Sequence, residues 1–184
     1  MSYGALALKV VQVENFLPGY ARIWLSGPQL HLVDDGGLGG LRDTRIKLIV
    51  GAASDDAGLA LGQLDGGWYH QWLDLPVSQR GYMRTYTVAC QRHDQAGKLS
   101  QIAIDILTGG CEVSVEHEGP GVSWARQAKA GTKCVMLAPW RGYDASGKRL
   151  PSTLGQRGSG LEYRPGAAKQ VVLLGDGTAL PAIN

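Results

Sequence analysis

Apolar and polar positions alternate with a period of two along much of the first half of the chain, the spacing of a strand with one buried face. Leu6-Ala7-Leu8-Lys9-Val10-Val11-Gln12-Val13 reads as a first, partly alternating strand. Pro18-Gly19 turns into Tyr20–Ser26, where Ala21, Ile23 and Leu25 share one face and Gly27-Pro28 ends the run. Thr44–Val50 is a third strand, with Ile46, Leu48 and Val50 pointing the same way. Three strands without a helical period between them predict antiparallel pairing, because parallel neighbours need long crossovers.

From Gly51 to Gly81 the periodicity disappears, and the stretch reads as a long loop carrying Trp68, Tyr69 and Trp72. Two uses fit it: a clasp that packs its aromatics on the wall of the sheet, or a flap over a ligand. Strand pattern resumes over Met83–Gln91, turns at His93–Gly97, and continues through Leu99–Leu107 and Cys111–His117. Ser123–Ala130 reads as two helical turns with Gly131 as the stop. Lys133–Ala138 is a further strand. After a polar excursion from Arg141 to Gly166, Val171–Leu174 forms a continuous apolar run, the pattern of a parallel strand covered on both faces. The pattern as a whole predicts an all-β, antiparallel Greek-key β-barrel with one short helix over residues 1–168. Residues 169–184 are expected to be the truncated first strand and turn of an α/β domain, since a whole βαβ unit needs about 30 residues.

Composition narrows the classes. With 184 residues, 44% apolar and 18% charged, the chain has the make-up of an ordinary globule rather than a disordered segment. A net charge of +2 without a Lys/Arg block argues against a nucleic-acid partner. No apolar stretch has the length of a membrane span, and the N-terminus lacks the pattern of a signal peptide, so a cytoplasmic location without membrane insertion is expected. Cys90, Cys111 and Cys134 are odd in number and widely spaced, which fits small buried side chains better than a disulfide framework or a metal site.

Candidate chemistry concentrates in a few places. Arg84-Thr85-Tyr86-Thr87-Val88 offers a cation, a flat ring and a hydroxyl on one strand, with Arg84 and Tyr86 sharing a face. Gly119-Pro120-Gly121-Val122-Ser123-Trp124-Ala125 opens a helix behind a glycine turn, where backbone N–H groups suit a phosphate and Ser123 suits an N-cap or first-turn position. Gly175-Asp176-Gly177-Thr178-Ala179-Leu180-Pro181 follows the apolar run near the end. Arg141, Lys148, Arg149, Arg157 and Arg164 form either a local basic surface or a solvated loop.

Taken together, these three motifs, with Arg22-Ile23-Trp24-Leu25, resemble the siderophore-interacting branch of the ferredoxin-reductase-like flavoproteins, over its FAD barrel. The resemblance implies an FAD-dependent ferric-siderophore reductase, or its flavin domain, with NAD(P)H as electron donor and a ferric siderophore as substrate. It implies that Arg84 holds the FAD pyrophosphate, Tyr86 lies against the isoalloxazine, and Thr87 reaches flavin N5 and is the residue closest to the chemistry. It places Val88, His117, Gly119, Gly121, Val122, Ser123, Trp124, Asp176, Thr178 and Ala179 near the cofactor, with an alternative register that leaves out the histidine. Ala89 stands where the family often has a second arginine, and Gly177 where it has a glutamate. Other readings remain: a related flavin domain with ferredoxin or quinone as acceptor, or a non-enzymatic barrel that binds a siderophore without flavin. Oligomeric state is not readable.

Overall fold

The structure, a computed structural model, describes residues 3–35, 41, 43–109, 118–152 and 166–183. Strands β1 (Tyr3–Leu17), β2 (Tyr20–Ser26), β3 (Arg45–Val50), β4 (Gly62–Gln63), β5 (Tyr82–His93), β6 (Leu99–Leu107) and β7 (Lys133–Pro139) run in the order β2-β6-β5-β3-β7-β1-β4. An additional β1–β2 pairing closes six of them into a barrel, and every pairing is antiparallel. In β3, β5 and β6 the chain meanders, and β7 returns to lie beside β3, the connection of a Greek key.

Alternation set the inside of the barrel. Ala21, Ile23 and Leu25 of β2, and Ile46, Leu48 and Val50 of β3, are buried together with Ile102, Ile104 and Met136 in one core cluster. A second cluster lies outside the barrel wall, where Ile49, Val135 and Leu137 meet Ala57, Leu59 and Trp72. That cluster forms the clasp expected of the aromatic loop, but the stretch is not structureless. It holds β4 and two short helices, α1 (Trp68–Asp74) and α2 (Val77–Arg80). Helices this short show about one or two turns of period, too little to stand out from loop sequence. Arg80 is stacked on the Trp72 ring at 4.9 Å, and the Trp72 indole donates to the Arg80 carbonyl at 3.2 Å, which ties the two helices together.

Helix α3 spans Pro120–Gln127, starting three residues before the expected Ser123 and ending before Ala130. Proline at the first helical position explains the early start: its missing N–H is one the helix would not use. Gly119 is the N-cap, without a side-chain cap bond, so Ser123 does not cap; its hydroxyl accepts from Gln127 Nε2 at 3.2 Å. The apolar run Val171–Leu174 forms no strand with the described residues and leaves Val172 and Leu174 81% and 91% exposed. After it come a 3-10 turn, Gly177–Ala179, and the short helix α4, Leu180–Ile183. The expected strand at Cys111–His117 lies outside the described residues, as do Arg157 and Arg164. Cys134 is buried, and burial pushes its thiol up to about 12. Arg141 pairs with Asp35, and Arg149 donates to the carbonyls of His31 and Val33, so both tie down the chain after β7.

Candidate functional site

The register between β3 and β5 sorts the motif residues. Ile46 faces Tyr86 and Leu48 faces Arg84, while Arg45 faces Thr87 and Lys47 faces Thr85. Facing residues share a side of the sheet, so Tyr86 and Arg84 stand on the core side and the two threonines on the outer side. Tyr86 is half-buried against the core cluster, and Arg84 is exposed at its rim. Burial raises the Tyr86 phenol above its usual range, against the opposing charge of Arg84, so it stays a neutral hydroxyl at physiological pH. The Arg84 guanidinium donates to the Met83 carbonyl at 2.8 Å and makes no ion pair with a described carboxylate. With five donors, most of its hydrogen-bonding capacity is uncommitted among the described residues.

Helix α3 brings its first turn onto these two side chains. A Cβ on Gly121 would lie 2.5 Å from the Tyr86 hydroxyl and 3.5 Å from Arg84 Cγ, so a side chain there would push the tyrosine or the helix aside. The N–H groups of Val122 and Ser123 both go to the Gly119 carbonyl, at 3.0 and 3.1 Å. Gly121 is then the first-turn amide without an acceptor among the described residues, the geometry of an anion-binding helix start. From the C-terminal side, the Asp176 carboxylate accepts from the Thr178 hydroxyl at 2.6 Å and from its amide at 2.9 Å. Those two bonds, the hydroxyl first, hold the Asp176 carboxyl below its usual range. At Gly177 a Cβ would overlap the Tyr20 hydroxyl, so a side chain there would have to move the tyrosine aside.

These parts enclose a concavity of about 480 Å³. Of the sequence-expected residues, Arg84, Tyr86, Thr87, Gly119, Gly121, Val122 and Thr178 line it. The rest lie elsewhere. Val88 is buried in the core, and Trp124 is buried with it, its indole N–H lacking a described partner. Ser123 is turned away one helical step past Val122. Asp176 and Ala179 build the turn that presents Thr178, with the Ala179 amide donating to the Asp176 carbonyl at 3.0 Å. His117 lies outside the described residues.

The lining also includes residues that no motif pointed to: Tyr20, Arg45 and Asp105, with the apolar Ile106 and Leu107. Arg45 was legible as a polar position opposite the apolar face of β3, but only pairing reveals that it stands beside Thr87. Asp105 is held by a bidentate pair with Arg22 at 2.7 and 2.8 Å, its side chain 2% exposed. That bond raises the Arg22 pKa against the effect of burial, and the guanidinium also lies 4.3 Å over the Phe16 ring.

An uncommitted guanidinium, an aromatic ring and a glycine-lined helix start around one cleft of ligand-binding size suit a flavin with its phosphates. Residues 9–143 match the family model described as the siderophore-interacting FAD-binding domain. Among solved structures, a siderophore interacting protein from Acinetobacter baumannii aligns at 20% identity and a TM-score of 0.50, over 98% of this chain and 50% of that one. The siderophore-interacting protein SipS from Aeromonas hydrophila aligns at 26% identity and a TM-score of 0.45, over 74% of this chain and 43% of its own. A siderophore utilization protein from T. fusca aligns at 23% and 0.46, over 75% and 45%. The chain thus spans half or less of the length of these structures. No curated protein matches it.

Proposed function

This chain belongs to the siderophore-interacting FAD-binding domain family, and on that premise we propose that it is the flavin domain of a ferric-siderophore reductase. Bound FAD would supply a carrier between a two-electron donor, NAD(P)H, and a one-electron acceptor, the Fe(III) of a siderophore. Reduction favours release of the iron, because hard oxygen ligands hold Fe(II) less tightly than Fe(III).

The chain's own residues bind, orient and tune. Arg84 takes the pyrophosphate through charge-assisted bonds, with the Gly121 amide as a second donor. Tyr86 offers a flat face at the boundary of core and cleft, and its neutral hydroxyl against Gly121 keeps the ring from swinging. Thr87, on the outer face, offers a hydroxyl to flavin N5, where one hydrogen bond shifts the balance between oxidised and reduced forms. The Asp176–Thr178 turn covers the site from the other side. No general acid or base is needed for electron transfer to iron, and none is assigned. The division at residues 168 and 169, the NAD(P)H donor, the siderophore and a cytoplasmic location belong to the same proposal.

The observation that supports this reading is the meeting of three separated motifs in one cleft: β5, the start of α3 and the C-terminal turn. The test is reconstitution with FAD, followed by removal of free cofactor and a visible spectrum. A retained flavin that, once chemically reduced, passes electrons to a ferric chelate agrees with the proposal. A colourless protein after reconstitution contradicts it. A retained flavin that reduces no ferric chelate contradicts the choice of acceptor.

A further inference from the structure

Two cations line the cleft between β5, the start of α3 and the C-terminal turn, and a pyrophosphate on Arg84 leaves the second, Arg45, without a task. The pairing of β3 with β5 sets the two apart. Leu48 faces Arg84, and Arg45 faces Thr87, three positions further along and roughly 10 Å away at the rise of a strand. They also differ in side: Arg84 springs from the core side, Arg45 from the outer side that carries Thr87. A second concavity, of about 590 Å³, continues along the outer side beneath the clasp and shares Arg84 and Thr85 with the first. Lys47 belongs to that one, and its ammonium donates across the strand pair to the Thr85 hydroxyl at 3.4 Å. Arg45 stands in the same relation to Thr87, on the longer side chain.

The charge around Thr87 is one-sided. Asp105 is the one carboxylate among the residues that line the cleft. It stands one residue past Ile104, which faces Val88, so it lies on the other side of Thr87 from Arg45. Its charge is matched by Arg22, which grips both oxygens at 2.7 and 2.8 Å. The cation beside Thr87 is therefore Arg45. It also interacts within the protein, but a guanidinium has five donors, enough to keep that interaction and turn others to a ligand.

A flavin that takes up two electrons and one proton gains one negative charge on its ring. A fixed cation beside the ring favours that form over the neutral, oxidised one. We propose that Arg45 raises the reduction potential of the bound flavin by stabilising the negative charge gained on reduction. This rests on the flavin reading, with Thr87 at N5. Arg84 has the complementary role. The pyrophosphate carries the same charge in both redox forms, so Arg84 holds both alike and leaves the potential where it is. Binding and tuning are thus divided between two arginines on opposite sides of one strand pair.

The test is the midpoint potential of FAD bound to the parent, Arg45→Gln, Arg45→Lys and Arg84→Ala, with chain in excess and dithionite as reductant beside a redox dye. Arg45→Gln is expected to lower the ratio of reduced to oxidised flavin at a given potential about tenfold, or about 30 mV for a two-electron couple. Arg45→Lys keeps the charge and should stay within about threefold of the parent. Arg84→Ala should weaken FAD but leave the potential within about threefold. Titration with oxidised FAD should give Arg45→Gln an affinity within about threefold of the parent, because by linkage the loss falls on the reduced form. Arg45 is exposed, so unchanged melting temperatures are expected. A potential for Arg45→Gln equal to or above that of the parent overturns the proposal and leaves the flavin reading intact. An equal drop in Arg45→Lys also overturns it, since the charge is then not the cause. A parent that binds no FAD overturns the flavin reading and this proposal with it.

Discussion

The two faces of β3 and β5 come from alternate residues of the same two strands and do different work. On the inner face, Ile46, Leu48 and Val50 are almost completely buried, and Tyr86 continues the same packing to the end of the barrel. On the outer face, Ile49 and Met83 pack under the clasp, but Arg45, Lys47, Thr85 and Thr87 pack little and line clefts instead. Strand geometry allows this division because neighbouring residues cannot share a side. The inner face fixes where the strands stand, and the outer face is free to carry groups that would be unstable in a core. Arg84 breaks the division, since it lies on the inner side but reaches the rim, and with Thr85 it lines both clefts.

The division can be tested from both sides. Leu48→Ala should have the largest effect on stability, about 2–5 kcal/mol, because it opens a cavity under the sheet. The outer-face change Lys47→Ala should stay within about 0.5 kcal/mol. Urea unfolding of the two variants measures the contrast, and equal losses would show that the faces are not distinct. Gly121→Ala should be smaller in stability, about 1–3 kcal/mol, because a methyl group there drives α3 off Tyr86. Its flavin affinity, however, should fall more steeply than that of Leu48→Ala at equal fraction folded. Flavin titration would sink the close-packing argument if Gly121→Ala bound as the parent does.

The smallest effect is expected at the C-terminal turn. Its carboxyl, Asp176, has a folded-state pKa below the unfolded value of about 3.9. The bonds to Thr178 therefore contribute fully above that value and are lost as pH falls through the lower folded pKa. Faster amide exchange at Thr178, corrected for intrinsic rate, should set in only below the ordinary carboxylate range. Onset near neutral pH would mean that another group holds the turn.

Much of the barrel was legible in the sequence, for a physical reason. In β2 the alternating residues meet one core, so Tyr20–Ser26 matches its sequence limits. The clasp was not legible as helix, because α1 and α2 are too short to display a period and are held by the Trp72–Arg80 contacts rather than by propensity. In the candidate site, the motif residues that carry side-chain chemistry on β5 do line one cleft. Of the α3 residues singled out, Val122 lines the cleft and Ser123 does not, since a helix turns about 100° per residue. Arg45, Tyr20 and Asp105 could not be found from motif spacing: strand pairing sets Arg45 beside Thr87 and Asp105 beside Arg22, and the C-terminal turn packs Gly177 against Tyr20. At Gly177 the Tyr20 hydroxyl occupies the space of a side chain, so a glutamate there would have to displace the tyrosine.

The central claim is the proposed one, that Arg84 anchors the flavin's pyrophosphate in the cleft between β5, the start of α3 and the C-terminal turn. Its most direct test is FAD titration of Arg84→Ala beside the parent, with melting temperatures as the control for folding. Loss of one charge-assisted phosphate anchor should weaken FAD by about tenfold or more without a change in melting temperature, because the side chain is exposed and makes no ion pair among the described residues. FAD bound by Arg84→Ala as tightly as by the parent would contradict the account.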